Sequence, residues 1–293
     1  MTEVSTTVID GSPRMVRAAR ALIGWLPPEQ AHVLQQGNVL GVAPTEEIVR
    51  RAAAARDAVS ARQAGVEQDD ALAPAPAELD DHIAAVRARP EAQPFVAEGW
   101  NVCLVDLRRV CAAQPTVHVD QAAERVRQAS ADGLLGLARV TLPIPTDAPL
   151  ATQFDQARNI WTLSSPNPNL RIMQPAKAKA EAGFVVLGFL VGVLPSFLQV
   201  ARFQGRLILR DGYHRAVGLL QRGIHVVPAF TRDFGLHDDL GLPAVGMLPQ
   251  GAYLGPRPPL LPDYLDDTVS TSVQVPAVQK VAMIQGIEIS MAG

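Results

Sequence analysis

The chain has 293 residues, 48% of them hydrophobic and 19% charged, with a formal net charge of −3. The hydrophobic share excludes a wholly disordered chain, and the charge excludes a globally basic nucleic-acid binder, though not a local basic patch. Its two cysteines, Cys103 and Cys111, stand apart from any CxxC or His pair. That excludes a disulfide framework, argues against structural zinc, and predicts two reduced thiols in a cytoplasmic protein.

Met1 to Asp10 has neither a basic start nor an apolar core, so no secretory signal is expected. Ser12 followed by Pro13 reads as the start of a helix running to Leu26, ahead of Pro27 and Pro28. Arg14, Arg17 and Arg20 would share one face of it. That stripe is short and lacks interleaved aromatics, so it reads as a solvated face before a nucleic-acid contact. Glu29 to Gln36 predicts a short helix stopped by Gly37. Thr45 caps a longer one, with Glu46 and Glu47 in its first turn and a thin apolar stripe of Ile48, Ala52, Ala55 and Val59. Gln63 to Asp81 is acidic and free of Lys and Arg, and reads as a solvated linker. Glu78 to Arg89 predicts another helix, ended by Pro90.

The pattern changes near Pro94. Strands are expected over Trp100–Leu107, Leu134–Leu142 and Phe184–Val193, with a helix capped by Asp120 between the first two. The uncharged run Ala182–Ala201 has membrane-span length. Its β-branched and aromatic residues, and its break at Pro195, favour buried strands instead. Phe197 to Arg210 reads as a hairpin turning at Gln204-Gly205. Tyr213 to Arg222 is a helix ended by Gly223, and Ile224 to Phe230 is a strand with Pro228 near its end. Beyond it lie extended loops, with a strand near Val273 and another near Ile287. The organisation expected is a mixed α/β (α+β) protein. It has a helical region with acidic linker at 1–92, an α/β domain at 93–235 and a Pro/Gly-rich arm at 236–293.

The sharpest local feature is Arg210-Asp211-Gly212-Tyr213-His214-Arg215, where a strand runs through Asp-Gly straight into a helix. A helix start exposes unpaired N–H groups and a partial positive charge, which suits an anion. Gly212 can take positive φ and admit a ligand close to the backbone. His214 and Arg215 add donors at the same end. Asp211 is placed either to cap the helix or to orient the His214 ring. The bland reading of the same residues is a helix cap, an Arg paired with a carboxylate and a half-buried histidine.

This motif, with its strand–turn–strand before it and its helix, Gly223 and Val-Pro strand after it, resembles the ParB/sulfiredoxin superfamily. The resemblance covers about Phe184 to Phe230. It implies a nucleotide or other phosphate held by Gly212, Tyr213, His214 and Arg215, with His214 and Asp211 as the catalytic candidates. ATP or CTP with Mg2+ is the implied cofactor. The superfamily's activities include sulfinic acid reduction, CTP-coupled DNA clamping and phosphorylation of free serine. Tyr213 stands where sulfiredoxins carry their cysteine, and no helix-turn-helix module follows the domain. An acidic base for serine phosphorylation could be Glu181 or Asp155 only by chain order. The expected partner is therefore a nucleotide or phosphorylated small molecule. The alternative is a non-catalytic interaction or assembly protein that keeps the fold, with a protein partner or self-association through the C-terminal arm, and DNA binding through the Arg14 stripe is a third. No membrane partner is expected.

Among weaker signals, the Ser164–Arg171 loop reads as two Pro/Asn turns, and Lys177 and Lys179 as a solvated pair. His118, His225 and His237 show no metal spacing, and Asp238-Asp239 and Asp266-Asp267 read as loop acids.

Overall fold

The computed structural model describes residues 16–39, 41–65, 70–127, 129, 133–144, 150–165, 170–177, 187–193, 195–242, 246–277 and 280–285. In chain order its strands are β1 (Val16–Ala21), β2 (Leu72–Pro74), β3 (Asn101–Asp106), β4 (Thr116–His118), β5 (Ala151–Asp155), β6 (Ile160–Ser165), β7 (Leu170–Lys177), β8 (Leu187–Val193), β9 (Gln199–Phe203), β10 (Arg206–Asp211), β11 (Val226–Phe234), β12 (Thr271–Pro276) and β13 (Lys280–Gln285). The helices are α1 (Pro28–Gln35), α2 (Glu46–Ala61), α3 (Asp80–Arg87), α4 (Gln93–Ala97), α5 (Val119–Arg125), α6 (Gly133–Thr141), α7 (Tyr213–Gln221) and α8 (Gln250–Tyr253). The protein is mixed α/β.

The central sheet runs β10-β9-β11-β3-β2. The β9–β10 hairpin turns through Gln204 and Gly205, both at positive φ, as a two-residue turn requires. From β10 the chain enters α7 and returns as β11, parallel to β9 and antiparallel to β3. Phe230 donates its N–H to Leu198, so Pro228, two residues earlier, faces the same edge before β9 pairs there. The missing donor of Pro228 therefore costs no ladder bond.

A second sheet, β12-β1-β4, joins the two ends of the chain. Here the helix expected over Pro13–Leu26 is replaced by strand β1 and a 3-10 turn at Ile23–Trp25. Residues 1–15 lie outside the described residues. Ala and Arg are good helix formers, but pairing on both edges and burial of Ala19 and Ala21 override that preference. The basic stripe dissolves with the helix. Arg17 pairs with Asp120, and Arg20 donates to Tyr264, Ser270, Ser272 and Asp267.

Two more elements differ from expectation. Leu72–Pro74 within the acidic linker is strand β2 on the edge of the central sheet, where Pro74 is tolerated. Leu134–Leu142 is helix α6, not a strand. Short apolar runs carry no decisive period, and exposed Leu135 and Arg139 lie four apart on its outer face. The helix expected with Asp120 as its cap starts two residues earlier, at Val119 with His118 at its N-cap, and ends at Arg125, short of the Ala131 expected. Thr45 caps α2 as expected, accepting from the Ile48 N–H, and Ala52, Ala55 and Val59 are buried. Of the two expected C-terminal strands, β12 contains Val273, whereas Ile287 lies outside the described residues.

The core is continuous from Ala19 to Val275, so segments 1–92, 93–235 and 236–293 all contribute to it. Phe95, Phe197, Phe230 and Trp100 pack edge-to-face and stacked at its centre. Among the described residues, no helix is long and apolar enough to cross a membrane.

Candidate functional site

α7 begins at Gly212, which sits at φ 96° as the N-cap. Its backbone is pressed against Leu198, where an added Cβ would come within 3.1 Å of the Leu198 Cα. Asp211 is therefore not the N-cap. Its carboxylate accepts from the Gly212 N–H (2.7 Å) and from the Ser196 hydroxyl (2.8 Å), which fixes the turn between β10 and α7. Because Gly212 has no side chain, it caps nothing. The N–H groups of Tyr213, His214 and Arg215 have no acceptor among the described residues.

The three side chains take different directions. Tyr213 points into the core. Its hydroxyl accepts from the Ala113 and Gln114 N–H groups and donates to the Leu209 carbonyl at 2.6 Å. It pins the Cys111–Gln114 segment, and burial pushes its phenol well above the usual range. Only its backbone remains at the helix start.

Arg215 is also turned inward and is 5% exposed. Nη1 donates to the Thr141 carbonyl at 3.3 Å, at the C-terminal end of α6, where a cation is favoured by the helix dipole. Thr141 also accepts from the Leu198 N–H. Burial lowers the guanidinium to about 10, and the nearby Asp211 charge opposes that shift. Arg215 stays charged at neutral pH, as a buried cation behind the helix start.

His214 faces α5. Its ring stacks on His118, with centroids 5.5 Å apart and planes 4° off parallel. One turn on, Gly218 meets Ala122, and one turn further Arg222 donates to the Val126 carbonyl. These three levels show that α5 and α7 lie side by side and parallel, with their N-terminal ends together. Like ends of two dipoles concentrate positive potential there. Burial lowers His214 to about 4, reinforced by His118 and Arg125 and opposed by Asp120. His118 is also lowered, first by burial. His214 Nε2 and His118 Nδ1 are buried without a hydrogen-bond partner among the described residues.

Residues 211–215 stand out in the sequence, whereas His118 does not. The position of His118 at an N-cap facing another helix start depends on β4 and α5, and no local spacing encodes it. Asp155 closes the β5–β6 turn by accepting from the Arg158 N–H, and Glu181 lies outside the described residues. Ser164 and Ser165 belong to β6 and Arg171 to β7, while 166–169 and Lys179 lie outside the described residues. Cys103 and Cys111 form no disulfide among the described residues, and the Cys103 sulfur accepts from the Thr231 hydroxyl at 3.2 Å. Among the described residues, no three His, Cys, Asp or Glu side chains converge as a metal site would require.

No protein-family model matches the chain, and neither a curated protein nor a solved structure matches it.

Proposed function

We propose that the chain is a divergent ParB/sulfiredoxin-like protein that holds a phosphate group, most simply that of a nucleotide, at the start of α7. The observation that carries this reading is the uncapped first turn. Three backbone N–H groups follow a left-handed glycine, and the His214 carried by the same turn has a ring nitrogen with no partner among the described residues. Phosphate oxygens would accept from Tyr213, His214 and Arg215 N–H groups. The buried Arg215 cation adds long-range attraction, and Asp211 holds the turn. A nucleoside triphosphate would bring Mg2+ on its own phosphates. Within this reading the protein is an NTP-dependent phosphotransferase or NTPase switch, with His214 as the group that donates or takes up a proton.

The electrostatics supply the test. A base whose folded pKa lies near 4, against the ordinary 6.5, binds a proton in the unfolded chain before it does so in the fold. Stability is therefore fully present above pH 6.5 and lost as pH falls toward 4, by up to about 3 kcal/mol for His214. A phosphate beside the ring favours the imidazolium and reverses part of that shift. NMR titration of the His214 ring, assigned with His214→Gln, should show its midpoint rising by a unit or more when ATP–Mg2+ or CTP–Mg2+ is added. A midpoint unmoved by either nucleotide at millimolar concentration overturns the reading.

Self-association is the second reading, and a specific surface favours it. Phe154, Trp161 and Ile284 stand opposite one another across the sheet β13-β6-β5 and are each about half exposed. Phe154 and Trp161 touch at 5.1 Å. The row carries no charge, so a second copy related by a two-fold axis can stack the same residues without repulsion. β13 comes from the C-terminal segment, as the arm-based alternative requires. Light scattering should give a dimer mass that Trp161→Glu halves. A monomeric wild type would refute this second reading.

A further inference from the structure

Away from α7, a cleft of about 480 Å3 opens between α1, the turn after β11 and α8. Its polar groups form a chain. His237 Nε2 lies 2.8 Å from the Tyr253 hydroxyl, and His237 Nδ1 lies 3.6 Å from Asp238 Oδ1. The carboxylate near Nδ1 favours the proton on that nitrogen, which leaves Nε2 to accept from Tyr253. Tyr253 is 3% exposed, and burial pushes its phenol up, so it remains a neutral donor. The two rings stack at 6.1 Å, with the edge of Phe203 closing on His237 at 6.0 Å.

The remaining walls are apolar, from Leu242, Met247 and Leu248, with the side-chain amides of Gln30 and Gln250 among the lining groups. Among the described residues, no Lys or Arg lines the cleft, and the one carboxylate lining it is that of Asp238, whose side chain is fully exposed. The volume falls within the range of small-molecule sites, about 300–1,000 Å3. An anion would meet Asp238 with no compensating cation. A cation would meet that carboxylate. We infer that this cleft binds a small organic amine, with its ammonium at Asp238 and its apolar body on Leu242, Met247 and Leu248.

This inference is independent of the phosphate reading, because none of its residues belongs to the α7 start. The probe is 2-phenylethylamine, with phenylacetate as the anion of matching shape. In the methyl-labelled full chain, the amine should shift the Leu242, Met247 and Leu248 methyl signals with a dissociation constant on the order of 1 mM. Phenylacetate should leave them unchanged. Asp238→Asn, at an exposed side chain whose amide oxygen can still accept from His237 Nδ1, should weaken the amine about tenfold. Equal binding of both compounds, no shift with either, or an Asp238→Asn variant that binds the amine like wild type would overturn the inference.

Discussion

Gly218→Ala should destabilise the protein by about 1–2 kcal/mol, although alanine is the better helix former. The added Cβ would lie 2.4 Å from the Ala122 carbonyl oxygen and 3.0 Å from Val126 Cγ1. The carbonyl is backbone, so α5 as a whole must move away from α7. Overpacking of this kind costs about 1–3 kcal/mol or more, against a gain of about 1 kcal/mol from helix propensity. Gly251, in the short helix α8, has open space where its Cβ would be. Gly251→Ala should be neutral or slightly stabilising and serves as the control. Urea denaturation of both variants checks the pair. Equal midpoints would show that α5 and α7 are not in the close parallel contact described. The separation of α5 from α7 should also loosen the His118–His214 stack, so Gly218→Ala should raise the His214 midpoint toward its ordinary value.

Arg215 separates fold from function. Arg215→Ala removes a buried side chain and leaves a void, at a cost of about 3 kcal/mol. Arg215→Met keeps most of the volume and removes the charge. Replacing a buried ion by an apolar side chain is often neutral or stabilising, and the Thr141 carbonyl keeps the Leu198 N–H as its donor. The Met variant should therefore fold with unchanged or higher stability and lose the rise in melting temperature that ATP–Mg2+ or CTP–Mg2+ gives the wild type. A Met variant that fails to fold would assign Arg215 to the structure alone. One that binds nucleotide like wild type would remove the buried cation from the proposed site.

Much of the α7 region is legible in the sequence because its signals are local. Gln204-Gly205 sets the hairpin, Gly223 ends the helix, and Asp-Gly after an apolar run marks a strand-to-helix turn. The roles of individual side chains are not legible in the same way. Tyr213, His214 and Arg215 are consecutive, so a helix sends them in three directions about 100° apart. One reaches the Cys111–Gln114 segment, one α5 and one the end of α6. Which of these leads inward depends on where those partners lie, and they come from residues 111 to 141. The same holds for the cleft beside His237. Its neighbour Asp238 is local, but Tyr253 and Leu242 arrive through the later chain, so His237 reads from the sequence as one of several scattered histidines.

By itself, the sequence determined the Gln204-Gly205 turn, the Thr45 cap, the Gly223 stop and the β9–β10–α7–β11 order. These depend on glycine at positive φ, on proline's missing donor and on hydrophobic period, all acting within a few residues. The tertiary structure alone decided that Val16–Ala21 is a strand, that Leu134–Leu142 is a helix, and that the two ends of the chain share one sheet. Those short, alanine- and leucine-rich segments have near-balanced local preferences. Edge pairing with β12 and β4, and packing against β11, settle them through contacts more than about 80 residues apart in the chain.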